Sequence, residues 1–267
     1  MIKITINKKS YKGPYRWEDI TLQKFTELAA IPMPEGYEAF ILADANFDSE
    51  KMQEYLDVVA NITDQQLNEE FPAYYKKVIR CLTNIPDEVI ELLDTEKINE
   101  LYEYYLKPFV VSLLYHFPVL RFMGNITRWE PQQIRQFKIR FTSYYVPETV
   151  SILDQVIPFS KEPIITYSEA SDLFRGNRVT KDDVKRLSLF MAIYCRRKNE
   201  KYDEGKALQR QRIMMQVPMS TVWSVFFYTV QRLPDYTTAI RLFGSLPKST
   251  REAVQRAITY KSMAVGD

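Results

Sequence analysis

Glycine is scarce in this chain, with seven in 267 residues. Phosphate loops and dinucleotide-binding folds need glycine where backbone must approach a ligand closely, so the scarcity argues against nucleotide enzymes. Cysteine is scarcer still: only Cys81 and Cys195 occur, beside the single histidine His116. Two thiols and one imidazole cannot complete a zinc cluster, and both cysteines fall within apolar helical patterns that would leave their thiols inert. No G-x-S-x-G elbow presents a serine to His116, whose place beside Phe117-Pro118 suits packing. No stretch reaches the ~18 consecutive apolar residues of a membrane span. Met1–Ile6 alternates and then turns basic, with no apolar leader segment behind it. These absences predict a non-enzymatic protein with no cofactor, no metal site and no membrane contact, made in a cytoplasm.

What is present is a globular composition. Apolar residues make up 46% and aromatics 13%, carried by 18 Tyr and 15 Phe, which is ample for a sizeable core. The net charge of +2 conceals an asymmetry. Residues 1–130 hold 14 Lys and Arg against 21 Asp and Glu, a net of −7, whereas residues 171–267 hold 18 against 9, a net of +9. Such polarity suits head-to-tail self-association or an acidic partner, and a basic half can also meet nucleic acid; two helical faces solvated by different charges would look the same.

The hydrophobic periodicity predicts a mainly α protein, a multi-helix body with a small β element. Ile2, Ile4 and Ile6 form an N-terminal strand that Tyr11-Lys12-Gly13-Pro14 turns, and residues 137–145 and 164–167 are further extended candidates that could join it in a sheet. Helices are expected from Thr21, with Leu22, Phe25, Leu28 and Ala29 on one side, from Tyr37, and from Asp48-Ser49. Thr63 with Gln66 makes a capping box, and Pro72 stands at the first position of a helix reaching Leu82. Further helices start at Pro86-Asp87-Glu88 and at Thr95-Glu96; the last is encircled by apolar residues and interrupted by Pro108. The chain is expected to be one domain, 1–267, with a helical pair inserted at about 86–124.

The organising stretch is 180–233. Thr180 caps a helix whose Val184, Leu187, Phe190, Met191, Tyr194 and Cys195 share a face, and Asp182-Asp183 sit against its positive end. A charged connector follows, then a helix at 207–215 carrying Leu208, Ile213, Met214 and Met215 with Arg210 and Arg212. Met219, Val222, Trp223, Val225, Phe226, Phe227 and Val230 make an aromatic helix that must be buried or paired. Short helices at 168–174 and from a capping box at Ser249–Glu252 complete the pattern. Arg196, Arg197, Lys198, Lys201, Lys206, Arg210 and Arg212 fall within 17 residues, with Tyr202 among them. They could contact phosphates, although Glu200, Asp203 and Glu204 dilute the charge and no nucleic-acid motif accompanies it.

Three segments together resemble a known family. Leu187–Tyr194 leads into Cys195–Gly205, and Val225-Phe226-Phe227-Tyr228 follows. This order is similar to that of tail-assembly-chaperone-like proteins of tailed phages infecting Bacteroidetes hosts. In those an apolar helix enters a "P-x-G-x-K/E-Y-(N/D)-x-G" connector and a later helix carries "FF". Here Glu200-Lys201-Tyr202-Asp203-Glu204 matches the connector, while Arg197-Lys198-Asn199 stands where the family has Pro-x-Gly. Trp17–Phe25 resembles the family's opening and Ile62–Leu67 its "tG-i-s-e-e-x-L" segment; residues from about 85 to 130 have no counterpart. The resemblance implies a non-enzymatic role in tail assembly, chaperone-like, in the host cytoplasm, with phage tail or portal-proximal proteins or a second copy of the chain as partners. The alternatives are a structural virion protein, such as a ring, connector or cargo component, and a nucleic-acid-binding accessory protein. Partner contacts are expected at Arg196, Arg197, Glu200, Lys201, Tyr202, Asp203, Arg210 and Arg212.

Overall fold

Asn7 and Lys8 take positive φ angles of 48° and 63°, the left-handed pair that a two-residue hairpin turn requires. They fold β1 (Ile2–Ile6) onto β2 (Lys9–Gly13) in antiparallel register, with Ile4 opposite Tyr11. Ile4 and Ile6 are buried, as their alternation predicts. The turn expected at residues 11–14 is instead strand through Gly13, because Lys-Ser-Tyr-Lys-Gly pairs through its backbone and shows no apolar period of its own.

The computed structural model describes residues 1–45, 52–115, 119–122, 125–128, 130, 132, 134–146, 150–152, 155–157, 181–198, 200 and 203–230. The expectations for Asp48-Ser49, His116, residues 164–167 and 168–174, Thr180, Lys201, Tyr202 and Ser249–Glu252 lie outside these. Within them the protein is mainly helical, with a small β element of two-stranded antiparallel pairs.

Local rules place the helices. Thr21 Oγ1 accepts the Lys24 N–H and starts α1 (Leu22–Ala29), which buries Leu22, Phe25 and Leu28. After Pro32, Pro34 and Gly36 come α2 (Tyr37–Ala45) and α3 (Met52–Ala60). Thr63 and Gln66 close a reciprocal box, the Gln66 N–H donating to Thr63 Oγ1 at 3.2 Å and the Thr63 N–H to Gln66 Oε1 at 2.9 Å. The helix it opens reaches α4 (Phe71–Leu82), and is followed by α5 (Asp87–Glu91), α6 (Thr95–Leu101) and α7 (Lys107–Tyr115).

Two π turns explain how these helices carry prolines. Gln66–Glu70 precedes α4 and Tyr102–Leu106 joins α6 to α7. Each turn ends two residues before a proline and is closed by the residue between: the Phe71 N–H donates to the Gln66 carbonyl ahead of Pro72, and the Lys107 N–H to the Tyr102 carbonyl ahead of Pro108. Proline lacks the N–H for an i−4 bond and crowds that carbonyl, so a wider turn just before it lets the helix continue. The expected interruption at Pro108 is therefore a bulge, and Pro72 follows helical backbone instead of starting it. The encircling apolar residues of α7 are buried, from Phe109 to Leu113.

Residues 87–115 pack on α2, α1 and α4 and share one core with the other described helices. After Pro118 the chain is extended, not helical: β3 (Val119–Phe122) pairs with β4 (Asn125–Arg128). The alternation at 137–145 is folded in two, as β5 (Gln136–Ile139) and β6 (Thr142–Tyr145) around Arg140-Phe141, so Phe141 stands at an exposed tip. The expected sheet between residues 2–6 and 137–145 does not form; each strand pairs within its own hairpin. β7 (Val150–Ile152) and β8 (Gln155–Ile157) make another such pair.

The two ends of the described chain meet at Trp17, in a short 3₁₀ turn (Trp17–Asp19). Its buried ring lies edge-on to Phe25 at 5.5 Å, Phe109 at 5.0 Å and Trp223 at 6.3 Å. Backbone bonds tie the same segments: the Leu22 N–H donates to the Val217 carbonyl at 2.8 Å and the Met219 N–H to the Ile20 carbonyl at 2.7 Å.

A second aromatic cluster joins α2, α4 and the π turn at 102–106. Tyr75 stacks on Tyr102 at 4.0 Å, and the buried Tyr37 hydroxyl donates to the Tyr102 hydroxyl at 2.5 Å. Burial, with neighbouring phenols adding to it, holds both hydroxyls protonated well above the ordinary tyrosine range. Tyr102→Phe should cost about 1–3 kcal/mol because it removes an acceptor from a buried donor. Adding Tyr37→Phe should cost less than the sum of the single changes, measurable as coupling in urea denaturation.

Candidate functional site

The organising helix does not begin as an α-helix. Lys181–Arg186 is a 3₁₀ segment in which Asp183 and Arg186, three residues apart, pair at 3.2 Å; that spacing eclipses in a 3₁₀ helix, so the ion pair fits the tighter winding. α8 (Leu187–Tyr194) continues it. Val184, Leu187, Phe190, Met191, Tyr194 and Cys195 are all buried, as their spacing predicts, and so are Ser188, Ala192 and Ile193. A helix covered on nearly every side ends with carbonyls that water cannot reach, and these need donors from the protein.

Arg210 supplies them. It lies on α9 (Glu204–Met214), where Ala207, Arg210 and Met214 are buried at spacings of three and four. Its Nη1 donates to the Ala192 carbonyl at 2.8 Å and the Cys195 carbonyl at 3.1 Å. Its Nη2 pairs with Glu200 Oε1, and the other Glu200 oxygen accepts the Arg197 N–H at 3.1 Å. One guanidinium thus caps α8, where the helix dipole also favours a cation, and holds the connector across it. Of the apolar residues expected on this helix, Met214 is buried and Met215 packs against the core, while Leu208 and Ile213 are exposed.

The connector is fastened on its other side by β6. The Tyr145 N–H donates to the Arg196 carbonyl at 2.7 Å, and the Arg196 N–H returns to the Tyr145 carbonyl at 3.3 Å. Between this hairpin and α9 opens a cleft of about 470 Å³. Tyr144, buried and stacked on Phe137 at 5.7 Å, forms its floor. Among the described residues Arg197, Lys198, Lys206 and Arg210 line it with the carboxylate Glu200, a local charge of +3 from four cations and one anion.

Of the residues expected to meet a partner, Arg197 lies exposed at the cleft, and Glu200 and Arg210 line it while bound to each other. Arg196 is buried and does not line the cleft, and Arg210 reaches it only from a buried position. Asp203 is the N-cap of α9, its Oδ1 accepting the Lys206 N–H at 2.8 Å. Arg212 is exposed on α9 and lines no part of the cleft. Ile213 also lines the cleft, as do Tyr144 and Gln209, which the sequence did not single out; nothing local to 144 signals a neighbour more than fifty positions away.

The arrangement offers positive charge and N–H donors to an anion. It offers no activated thiol: burial pushes the Cys81 thiol up to about 11 and raises that of Cys195 further, against the opposing charge of Arg210. Among the described residues no cluster of His, Cys, Asp or Glu could hold a metal ion, and no helix is long and apolar enough to cross a membrane. Because Asp203 serves as a cap, Asp203→Ala should lower stability by about 1 kcal/mol in a thermal melt, with no partner present. No family model, curated protein or solved structure matches the chain.

Proposed function

We propose that this chain is a non-enzymatic tail-assembly protein of a tailed phage, chaperone-like, acting through protein–protein contacts at the basic cleft. The phage setting rests on the resemblance of the 187–205 and 225–228 segments. The contact role rests on one observation, the division of labour among the connector's charges. Arg210 and Glu200 hold the connector from beneath, which leaves Arg197, Lys198 and Lys206 exposed around an open cleft. A loop already held in place loses less entropy on binding than a free one, and arginine is enriched in protein interfaces.

Tail or portal-proximal proteins are the proposed partners, in the host cytoplasm during assembly. Co-expression of the affinity-tagged full chain with tail-tube and tape-measure proteins tests this. Copurification of either is expected, and recovery of neither overturns the reading. Mass spectrometry of purified particles separates the assembly role from a structural one: absence from the particle is expected, and a fixed copy number would make it a virion component.

A further inference from the structure

Phe141 stands where folding gives no reason for it. It is fully exposed at the tip of the β5/β6 hairpin, although burying such a ring is worth about 1.5–3 kcal/mol. Its neighbour Arg140 takes a φ of 52°, a conformation that hairpin turns ordinarily give to glycine or asparagine. Both choices are unfavourable for an isolated hairpin, and strain of this kind gathers where a surface has work to do.

The tip is also firmly held. The Phe137–Tyr144 stack faces inward, the Val146 N–H donates to the Arg135 carbonyl at 2.9 Å, and Tyr145 is hooked to Arg196. Phe141 is three residues along the strand from Tyr144, a reach of about 10 Å, and Tyr144 is the cleft floor. Lys138 and Arg140 on the same hairpin are also exposed.

We propose that the cleft and the Arg140-Phe141 tip form one docking surface for an acidic protein segment bearing an apolar residue, its carboxylates meeting Lys198 and Lys206 and its apolar side chain meeting Phe141. The proposal rests on the protein-contact reading above and names the chemistry of the partner. Charge complementarity selects the acidic segment, because the described lining residues carry +3. A polynucleotide fits less well. Single strands want successive stacking faces, whereas among the described residues of this surface Tyr144 is buried and Phe141 is the exposed ring.

The test titrates the purified full chain with a fluorescein-labelled glutamate-rich peptide carrying a central leucine, with the same peptide carrying serine there, and with oligothymidylate. Binding of the leucine peptide that weakens with salt is expected. The double variant Lys198→Glu, Lys206→Glu should weaken it about tenfold or more, and Phe141→Ser should weaken the leucine peptide about tenfold while leaving the serine peptide unchanged. All three positions are exposed, and unaltered melting curves check that the fold is intact. An unaffected Phe141→Ser variant, no peptide binding, or tighter binding of oligothymidylate would overturn the proposal. If tail proteins copurify with the wild type and equally with these variants, the surface is wrong and the tail role stands. If the peptide binds as expected and tail proteins fail to copurify with the wild type, the tail role is wrong and the surface stands.

Discussion

Trp17→Ala is expected to lower the unfolding free energy by about 3–5 kcal/mol, the range for emptying a buried aromatic site. For a chain of this size that is a fall in Tm on the order of 10 °C. The ring has no solvent exposure and meets Phe25, Phe109 and Trp223 edge-on, so one truncation removes contacts to α1, to α7 and to α10 (Met219–Val230) at once. Edge-to-face pairs add about 0.5–1.5 kcal/mol each beyond area burial. Trp17→Phe keeps a ring in the site and should cost markedly less. The damage should extend to the join between the chain ends, where residues 20–22 bond to residues 217–219. Hydrogen exchange should therefore rise together at the Leu22 and Met219 amides; protection lost at one and kept at the other would mean that Trp17 does not hold the two segments as a unit.

The second large effect is at Arg210. Arg210→Ala leaves Glu200 charged beside the protein interior and strips donors from the Ala192 and Cys195 carbonyls. Breaking a buried ion pair by removing one partner costs about 3–5 kcal/mol, and the lost helix cap acts in the same direction. Arg210→Lys should recover only part of this, because an ammonium lacks the planar fork that reaches two carbonyls and a carboxylate together. Glu200→Gln, which keeps an acceptor oxygen, should be milder than Arg210→Ala. Chemical denaturation of the three variants gives the order directly. Equal stability of Arg210→Ala and wild type would show that the connector is not fastened from beneath.

The sequence revealed what is governed by neighbours a few positions away. Thr21 and the Thr63–Gln66 box bond as their spacing requires, and the six apolar residues from Val184 to Cys195 are all buried. Features set by distant partners were hidden. β2 has no hydrophobic period, because its place is fixed by the Asn7-Lys8 turn and backbone pairing. Phe141 completes an alternation with Phe137 and Ile139, yet the chain reverses at Arg140 and carries it outward. Nothing in composition distinguishes that reversal from a longer strand. Arg210 looked like one of seven surface cations. Its interior role was partly legible, since it lies three after Ala207 and four before Met214 on the buried stripe of α9, but the carbonyls it satisfies belong to another helix.

Within the candidate site the basic run was visible and its division was not. Cations that hold the fold and cations that face the cleft have the same side chains and close numbers; only the helix periodicity and the end of α8 separate them. Tests of partner binding must respect that difference. Variants at Arg210 would lose binding through lost structure, whereas Arg197, Lys198 and Lys206 are exposed and can be reversed without emptying the core. A glutamate at 206 also lies near the N-terminus of α9, where the dipole favours it.

The most direct measurement compares copurification of tail-tube and tape-measure proteins by the wild-type chain and by the triple variant Arg197→Glu, Lys198→Glu, Lys206→Glu, with melting temperatures recorded for both. Equal melting temperatures with loss of the tail proteins from the variant are expected. Equal recovery by both chains would contradict the assignment of the cleft as the contact surface.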